Sequence, residues 1–443
     1  PRNRPLAPGS SMLICGALLF SLVVAPAGAQ QAPPRLSPAE RASALVAIRK
    51  VLADEYVFPE LRAKLVERLS RAEKEGRYDV EEPYRFAERV TEDLRDVARD
   101  GHLSLSHAPA QYAAAMAPPA SGAGSEALAE QRAVRAHHGL AELRILPGNI
   151  RYLRITGFSW VPDRTGEAYD DAMRFLGEGD AAIIDLRGNG GGHAAAVQYL
   201  VSHFLPADTL LLTFVQGSET PIQSRTLSHL PAGRLLGTPL YVLIDGNVAS
   251  AAEEFAYHVR QFRLGELVGA RTAGGANNNR LAPIAPGFIL SVSVGRPVHA
   301  VSGTNWEGEG VAPSVEAAPS RALDLAQSLA LARLAESGNA GPELRAEYAW
   351  ARTGVEARLR PVTMAPKQLR ALAGVYGEVK VELRDGALWM SRPDRETRRL
   401  TPLTADGLFG VEGVEVLRVR FREEALELLW LGESEARVFR RSS

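Results

Sequence analysis

Ser250 stands where an apolar run, Tyr241–Asp245, passes through Gly246-Asn247 into the helical spacing of Ala251, Ala252, Phe255, Val259 and Phe262. A hydroxyl at a strand-to-helix junction either caps the helix or attacks a substrate. Glu253 and Glu254 fall in the first turn, where carboxylates suit the helix dipole. The local sequence Val248-Ala249-Ser250-Ala251-Ala252 is not a G-x-S-x-G elbow, and Glu253 replaces the lysine of S-x-x-K. A nucleophilic serine needs a base within hydrogen-bond reach. No lysine occurs between Lys74 and Lys367, so a lysine base would have to come from another unit, and histidine is the expected base. Among nine histidines, His102 follows Asp100-Gly101 at the start of a short strand-like run, where a turn aims it inward. With no H-E-x-x-H and no Cys/His cluster, neither metal nor other cofactor is expected.

Two further stretches bear on the same chemistry. Arg187-Gly188-Asn189-Gly190-Gly191-Gly192-His193 follows a strand and opens a helix. It fails G-x-G-x-x-G, because His193 takes the last glycine position, and no G-K-[ST] follows. What remains is bare backbone at a helix start, which suits negative charge and, in a hydrolase, an oxyanion. It reads equally well as a tight strand–helix turn. Asn305–Pro313 carries Glu307 and Glu309 on a glycine-rich turn, where either carboxylate could orient a polar partner or simply face solvent.

These residues require elements to position them. Ser37-Pro38-Ala39-Glu40 is a capping box with proline at the first helical position, and helical patterns follow to Ala98 with breaks at Gly76 and Pro83. Residues 30–108 therefore form an N-terminal helical unit, and the Ala/Pro/Gly/Ser-rich stretch 109–138 a loop or linker. From 139 to 336 strands alternate with helices, the pattern of an α/β domain with a buried sheet. A helix and linker span 337–366. From 367 to 443 short alternating strands and Asp-Gly turns predict a separate small antiparallel β domain.

Formal charge is −1, from 51 basic and 52 acidic residues, which gives no electrostatic reason to expect nucleic acid. Arg2 and Arg4, the apolar run Met12–Pro26 and Ala27-Gly28-Ala29 have the form of a signal peptide cleaved near Ala29, residues 1–11 preceding its first methionine. The expectation is export to the periplasm or beyond, with no lasting membrane span. Cys15, the sole cysteine, lies in that run, so the mature chain carries no disulfide. Oligomeric state leaves no mark in the sequence.

Five segments, in order, resemble the serine peptidases that include the tail-specific (C-terminal processing) proteases, tricorn protease and interphotoreceptor retinoid-binding protein. They are Ala53–Leu65, Asp100–Leu105, Gly148–Gly192, Ser250–Gly275 and Asn305–Pro313. The resemblance implies a crotonase/Clp-protease-like spiral of β-β-α units. It implies Ser250 as nucleophile, with the N–H of Ala251 and a glycine of the 190–192 turn as oxyanion hole, Gly191 first and Gly190 in reserve. His102 matches the base of the tricorn-like branch and Glu307 its acidic member, Glu309 being the reserve. In the processing-protease branch a lysine about a helix and a half past the serine is the base, and Gly275 falls near that point. Gly101 departs from the serine of tricorn-like sites, Asn277-Asn278 from a usual His-Pro, and Ser314 from a usual aspartate. The stretch between Leu105 and Leu140 is too short for a PDZ domain. The function implied is peptide-bond hydrolysis through an acyl-enzyme, on a peptide or protein substrate. The same scaffold also allows a binder of apolar ligands or an esterase.

Overall fold

The computed structural model describes residues 35–117, 123–217, 220–338 and 340–442. The expected signal segment lies outside them. No helix among the described residues is long and apolar enough to cross a membrane.

Three helices begin the chain: α1 (Pro38–Glu55), α2 (Pro59–Lys74) and α3 (Pro83–Ala98). The capping box at Ser37 is made, with its Oγ accepting from Glu40 N and its N–H donating to the Glu40 carboxylate. Leu45, Ile48, Leu52, Leu65, Leu69, Phe86, Val90 and Leu94 are buried at helical spacing and form one core with the strands beside them. A left-handed residue, Arg99 (φ 52°), ends α3 and turns the chain into β1 (Ser104–His107). The stretch read as loop from its composition instead holds α4 (Pro109–Met116) and α5 (Ala123–Arg135). Its many alanines are the strongest helix formers, which outweighs the prolines and glycines at its ends and centre.

The α/β region follows in the order β2 (Leu140–Leu146), β3 (Ile150–Ile155), α6 (Arg164–Gly177), β4 (Ala181–Asp185), α7 (Ala194–Ser202), β5 (Leu210–Gln216), β6 (Ile222–Arg225), β7 (Leu240–Ile244), α8 (Ala251–Gln261), β8 (Gly265–Gly269), β9 (Asn278–Ile284), β10 (Phe288–His299), β11 (Val315–Glu316), α9 (Ala322–Glu336) and α10 (Pro342–Leu359). One six-stranded sheet runs β11-β8-β7-β4-β3-β2, parallel except for the β2–β3 hairpin. β4 and β7 are buried at every residue, as expected of parallel strands covered by helices on both faces. Helices α6, α7 and α8 share one core with this sheet, and α9 and α10 cover its other face. The second sheet runs β1-β10-β5-β6, with β9 also on β10.

Two features of this topology position the site. β4 and β7 are neighbours, so the loops after them, which carry the glycines and Ser250, lie side by side. β1 pairs with β10 through Ser104↔Ser291, and this antiparallel contact brings the turn before β1 to the α/β region. From Gly374 to Arg440 eight antiparallel strands follow in sequence order around their own core, with Phe409, Val419, Leu426 and Leu428 at its centre. A bridge between Tyr376 and Arg441 brings the two ends of this sheet together, so that it nearly closes.

Candidate active site

Ser250 sits between β7 and α8 at φ 53°, ψ −124°. This backbone region is costly for any residue with a Cβ. Its hydroxyl makes no capping bond to α8. Its N–H instead donates to Glu253 Oε2 at 2.9 Å. Glu253 is fully buried and also accepts from Thr272 Oγ1 (2.5 Å), Gly274 N (2.6 Å) and Gly275 N (2.8 Å). Burial raises the Glu253 carboxyl above its ordinary range, and the four donors oppose the rise. One carboxylate thus fastens the Ser250 backbone to the 272–275 turn. Its position three residues after Ser250 is the S-x-x-E spacing, the signal that would have identified it.

His102 is held from both sides. Arg95 closes the turn behind it by donating to Leu103 O (3.0 Å) and Gly101 O (2.8 Å). Asp100 Oδ1 accepts from His102 N at 2.9 Å, and Tyr56 donates to Asp100 Oδ2 at 3.2 Å. His102 Nδ1 faces Glu307 Oε2 at 3.4 Å. Glu307 accepts from Gly101 N (2.7 Å), Ala276 N (2.6 Å) and Asn277 N (2.7 Å). Gly101 therefore reaches Glu307 through its backbone. Burial would raise the Glu307 carboxyl, but His102 and the three N–H donors hold it below its ordinary range. Glu307 in turn raises His102 above the usual imidazole value, against the effect of burial. Asp100 is raised, chiefly by burial, with Ser293 opposing and the Glu307 charge adding to the rise. Asp100, His102 and Glu307 each offer an atom within 4.8 Å of the others, a spacing that a metal could use. The Glu307 oxygens already face three N–H donors, however, so the arrangement serves to hold an imidazole.

Ser250 and His102 line one cavity of about 400 Å³, together with Gly192, Ala251, Glu254 and Asn277. Gly275 forms the floor under the imidazole. A Cβ there would lie 2.9 Å from His102 Cε1, so a side chain at 275 and the ring at 102 compete for the same space. Gly191 (φ 105°) lies against Ser250, where a Cβ would come within 2.8 Å of Ser250 Cβ and 3.0 Å of Ala251 N. The Gly191 N–H, however, donates to Asn189 Oδ1 at 2.8 Å. The N–H groups of Ala251, Gly190 and Gly192 meet no protein acceptor among the described residues. Asn189 is buried and also binds Ile155 O through Nδ2 (3.0 Å) and Ala249 N through its own carbonyl (3.1 Å). It ties the glycine turn to both β3 and the serine turn.

The structure thus brings Ser250, His102, Glu307, Ala251 and Gly191 together. Glu309 is exposed and forms no ion pair with His102. Gly190 is exposed, with open space on its Cβ side. The sequence places Glu253 only in the first turn of a helix, and it assigns Asp100 and Asn189 no role of their own, because much of what they do is bind backbone.

Residues 149–317 match the family model described as Peptidase family S41. The carboxy-terminal processing protease CtpB of Bacillus subtilis (strain 168) is 25% identical over 157 residues, 35% of this chain and 31% of that protein. This chain therefore spans under a third of that relative's length. A lipoprotein from Streptococcus agalactiae aligns in structure with a TM-score of 0.41 at 17% identity, over 67% of this chain and 98% of that one. The photosystem II D1 C-terminal processing protease aligns with a TM-score of 0.41 at 16% identity, over 64% and 94% of the two chains.

Proposed function

We propose that this chain, whose residues 149–317 match peptidase family S41, hydrolyses peptide bonds through an acyl-enzyme on Ser250. The observation that carries the reading is the shared cavity: an uncapped, strained serine and an imidazole backed by a carboxylate line the same space. Ser250 Oγ attacks the carbonyl carbon while His102 Nε2 takes its proton. The oxyanion meets the Ala251 N–H at the positive end of α8 and a second donor from the glycine turn. That second donor is Gly191 once its bond to Asn189 is given up, or Gly192, which faces the cavity. One such donor is worth about 3 kcal/mol in the transition state. The amine leaves with the proton from His102. Water then repeats the sequence and frees Ser250. Glu307 fixes the ring through Nδ1 and favours its transient charge.

The β-β-α spiral implied by the resemblance and the domain boundaries at 139, 336 and 367 belong to the same reading. So does export, which rests on the sequence of residues 1–29. The polar lining, with Glu254, Asn277 and His102, suits a peptide better than an apolar ligand. The test is Ser250→Ala. Hydrolysis of a peptide library should fall by roughly 10⁴-fold or more, and labelling by a fluorophosphonate should vanish. Unchanged turnover or unchanged labelling in that variant rules the reading out.

A further inference from the structure

Glu254 lies one helical turn beyond Ser250 and lines the same cavity. Its side chain is 8% exposed, and His258 Nε2 lies 3.6 Å from its Oε1. Among the described residues its carboxyl takes part in no hydrogen bond, and none of the cavity's lining residues is lysine or arginine. Glu253, by contrast, is fully engaged on the other side of α8. His193, at the rim, spends Nδ1 on the N–H of Ala195.

Behind Glu254 a chain of bonds fixes the protons. Val301 N–H donates to His299 Nδ1 at 3.1 Å, so neutral His299 carries its proton on Nε2. That nitrogen faces His258 Nδ1 at 3.1 Å, which leaves the His258 proton on Nε2, pointing at Glu254. Burial depresses both imidazoles to about 3 and keeps them neutral. Burial also pushes the Glu254 carboxyl up to about 8. A carboxyl that faces one neutral N–H at 3.6 Å, with no hydrogen bond and no cation of its own, opens into a cavity beside Ser250.

We propose that Glu254 determines specificity by receiving the cationic side chain of a lysine or arginine adjacent to the bond that Ser250 attacks. An arriving ammonium or guanidinium supplies the charge-assisted bond that the buried carboxyl lacks. His258 Nε2–H, neutral and 3.6 Å from Glu254 Oε1, supplies no compensating charge. A neutral side chain in the same place leaves the carboxyl desolvated and unpaired. The inference rests on Ser250 acting as nucleophile.

Two diphenyl phosphonates test it, one bearing a lysine-like and one a leucine-like side chain. In each, Ser250 Oγ bonds to phosphorus and a phenoxide leaves. The lysine-like probe should label the wild-type protein at least about tenfold faster, and Glu254→Gln should bring the two rates level. Equal rates in the wild-type protein, or a preference that survives in Glu254→Gln, overturn this inference and leave Ser250 as nucleophile. The wild-type comparison decides by itself if that variant does not fold. Failure of both phosphonates and of the fluorophosphonate to label overturns the acyl-transfer reading, and this inference with it.

Discussion

At the scale of single residues, the His102–Glu307 pair sets opposite demands on stability and activity. His102 is raised from 6.5, so its pairing stabilises the fold fully below that pH and is lost as pH rises through the folded value. Glu307 is lowered from 4.5, so its contribution is present above that pH and lost as pH falls through the folded value. The pair is therefore strongest between these two pH values. On the proposed mechanism, catalysis needs neutral His102 and climbs above the upper one. In Glu307→Gln the acid limb of kcat/KM should move to lower pH, and its rate plateau should drop. Both Glu307 oxygens accept from N–H groups, so glutamine must turn its NH₂ towards a donor, at a cost of about 1–3 kcal/mol in stability. A pH–rate profile and a denaturant titration check both effects, and an unmoved acid limb would remove Glu307 from the mechanism. The candidate groups that the structure brings together were legible in the sequence because serine, histidine and glutamate have recognisable chemistry. Asp100 and Asn189 were not, since they act on backbone groups that no spacing identifies. Asn189 also alters the expected oxyanion hole, by occupying the Gly191 N–H.

At the scale of elements, the turn 272–277 matters most. It carries donors to Glu253 and to Glu307 and offers Gly275 as a floor for the imidazole. Gly275→Ala should fold, since Gly275 is not among the glycines with positive φ. It should nonetheless push the His102 ring aside and lower kcat/KM by roughly tenfold or more. Kinetics and a melting curve separate the two effects, and full activity in this variant would show that the ring has room to spare. The long periodic elements are readable: apolar spacing alone predicts strands over Ile150–Ile155 and Ala425–Trp430 and a helix over Ala322–Glu336, the limits that β3, the C-terminal strand and α9 have. β8 and β9 were missed. The first is short and interrupted by Glu266, and the second begins with Asn278-Asn279 and contains Pro283, residues that local preference assigns to turns. Pairing with β7 and β10 overrides that preference.

At the scale of the whole molecule, the C-terminal sheet is joined to the α/β region through α10. Arg418 lies 4.0 Å over the Trp350 ring and donates to Trp350 O, while Trp350 Nε1 donates to Glu415 O at 2.9 Å. Arg418→Ala should weaken the junction by about 1–3 kcal/mol. Calorimetry should then resolve a separate, earlier transition for the sheet, and an unsplit endotherm at the wild-type temperature would mean that the junction contributes little. The stretch matching the peptidase family holds Ser250 and Glu307, whereas His102 precedes it. β1 joins the two parts by pairing with β10. On the reading above, a ribosome makes the proton acceptor first, the hydroxyl much later, and the carboxylate that steadies the acceptor later still. A half-made chain is then harmless to its neighbours, and cutting power arrives only when the two ends of this long span close on each other.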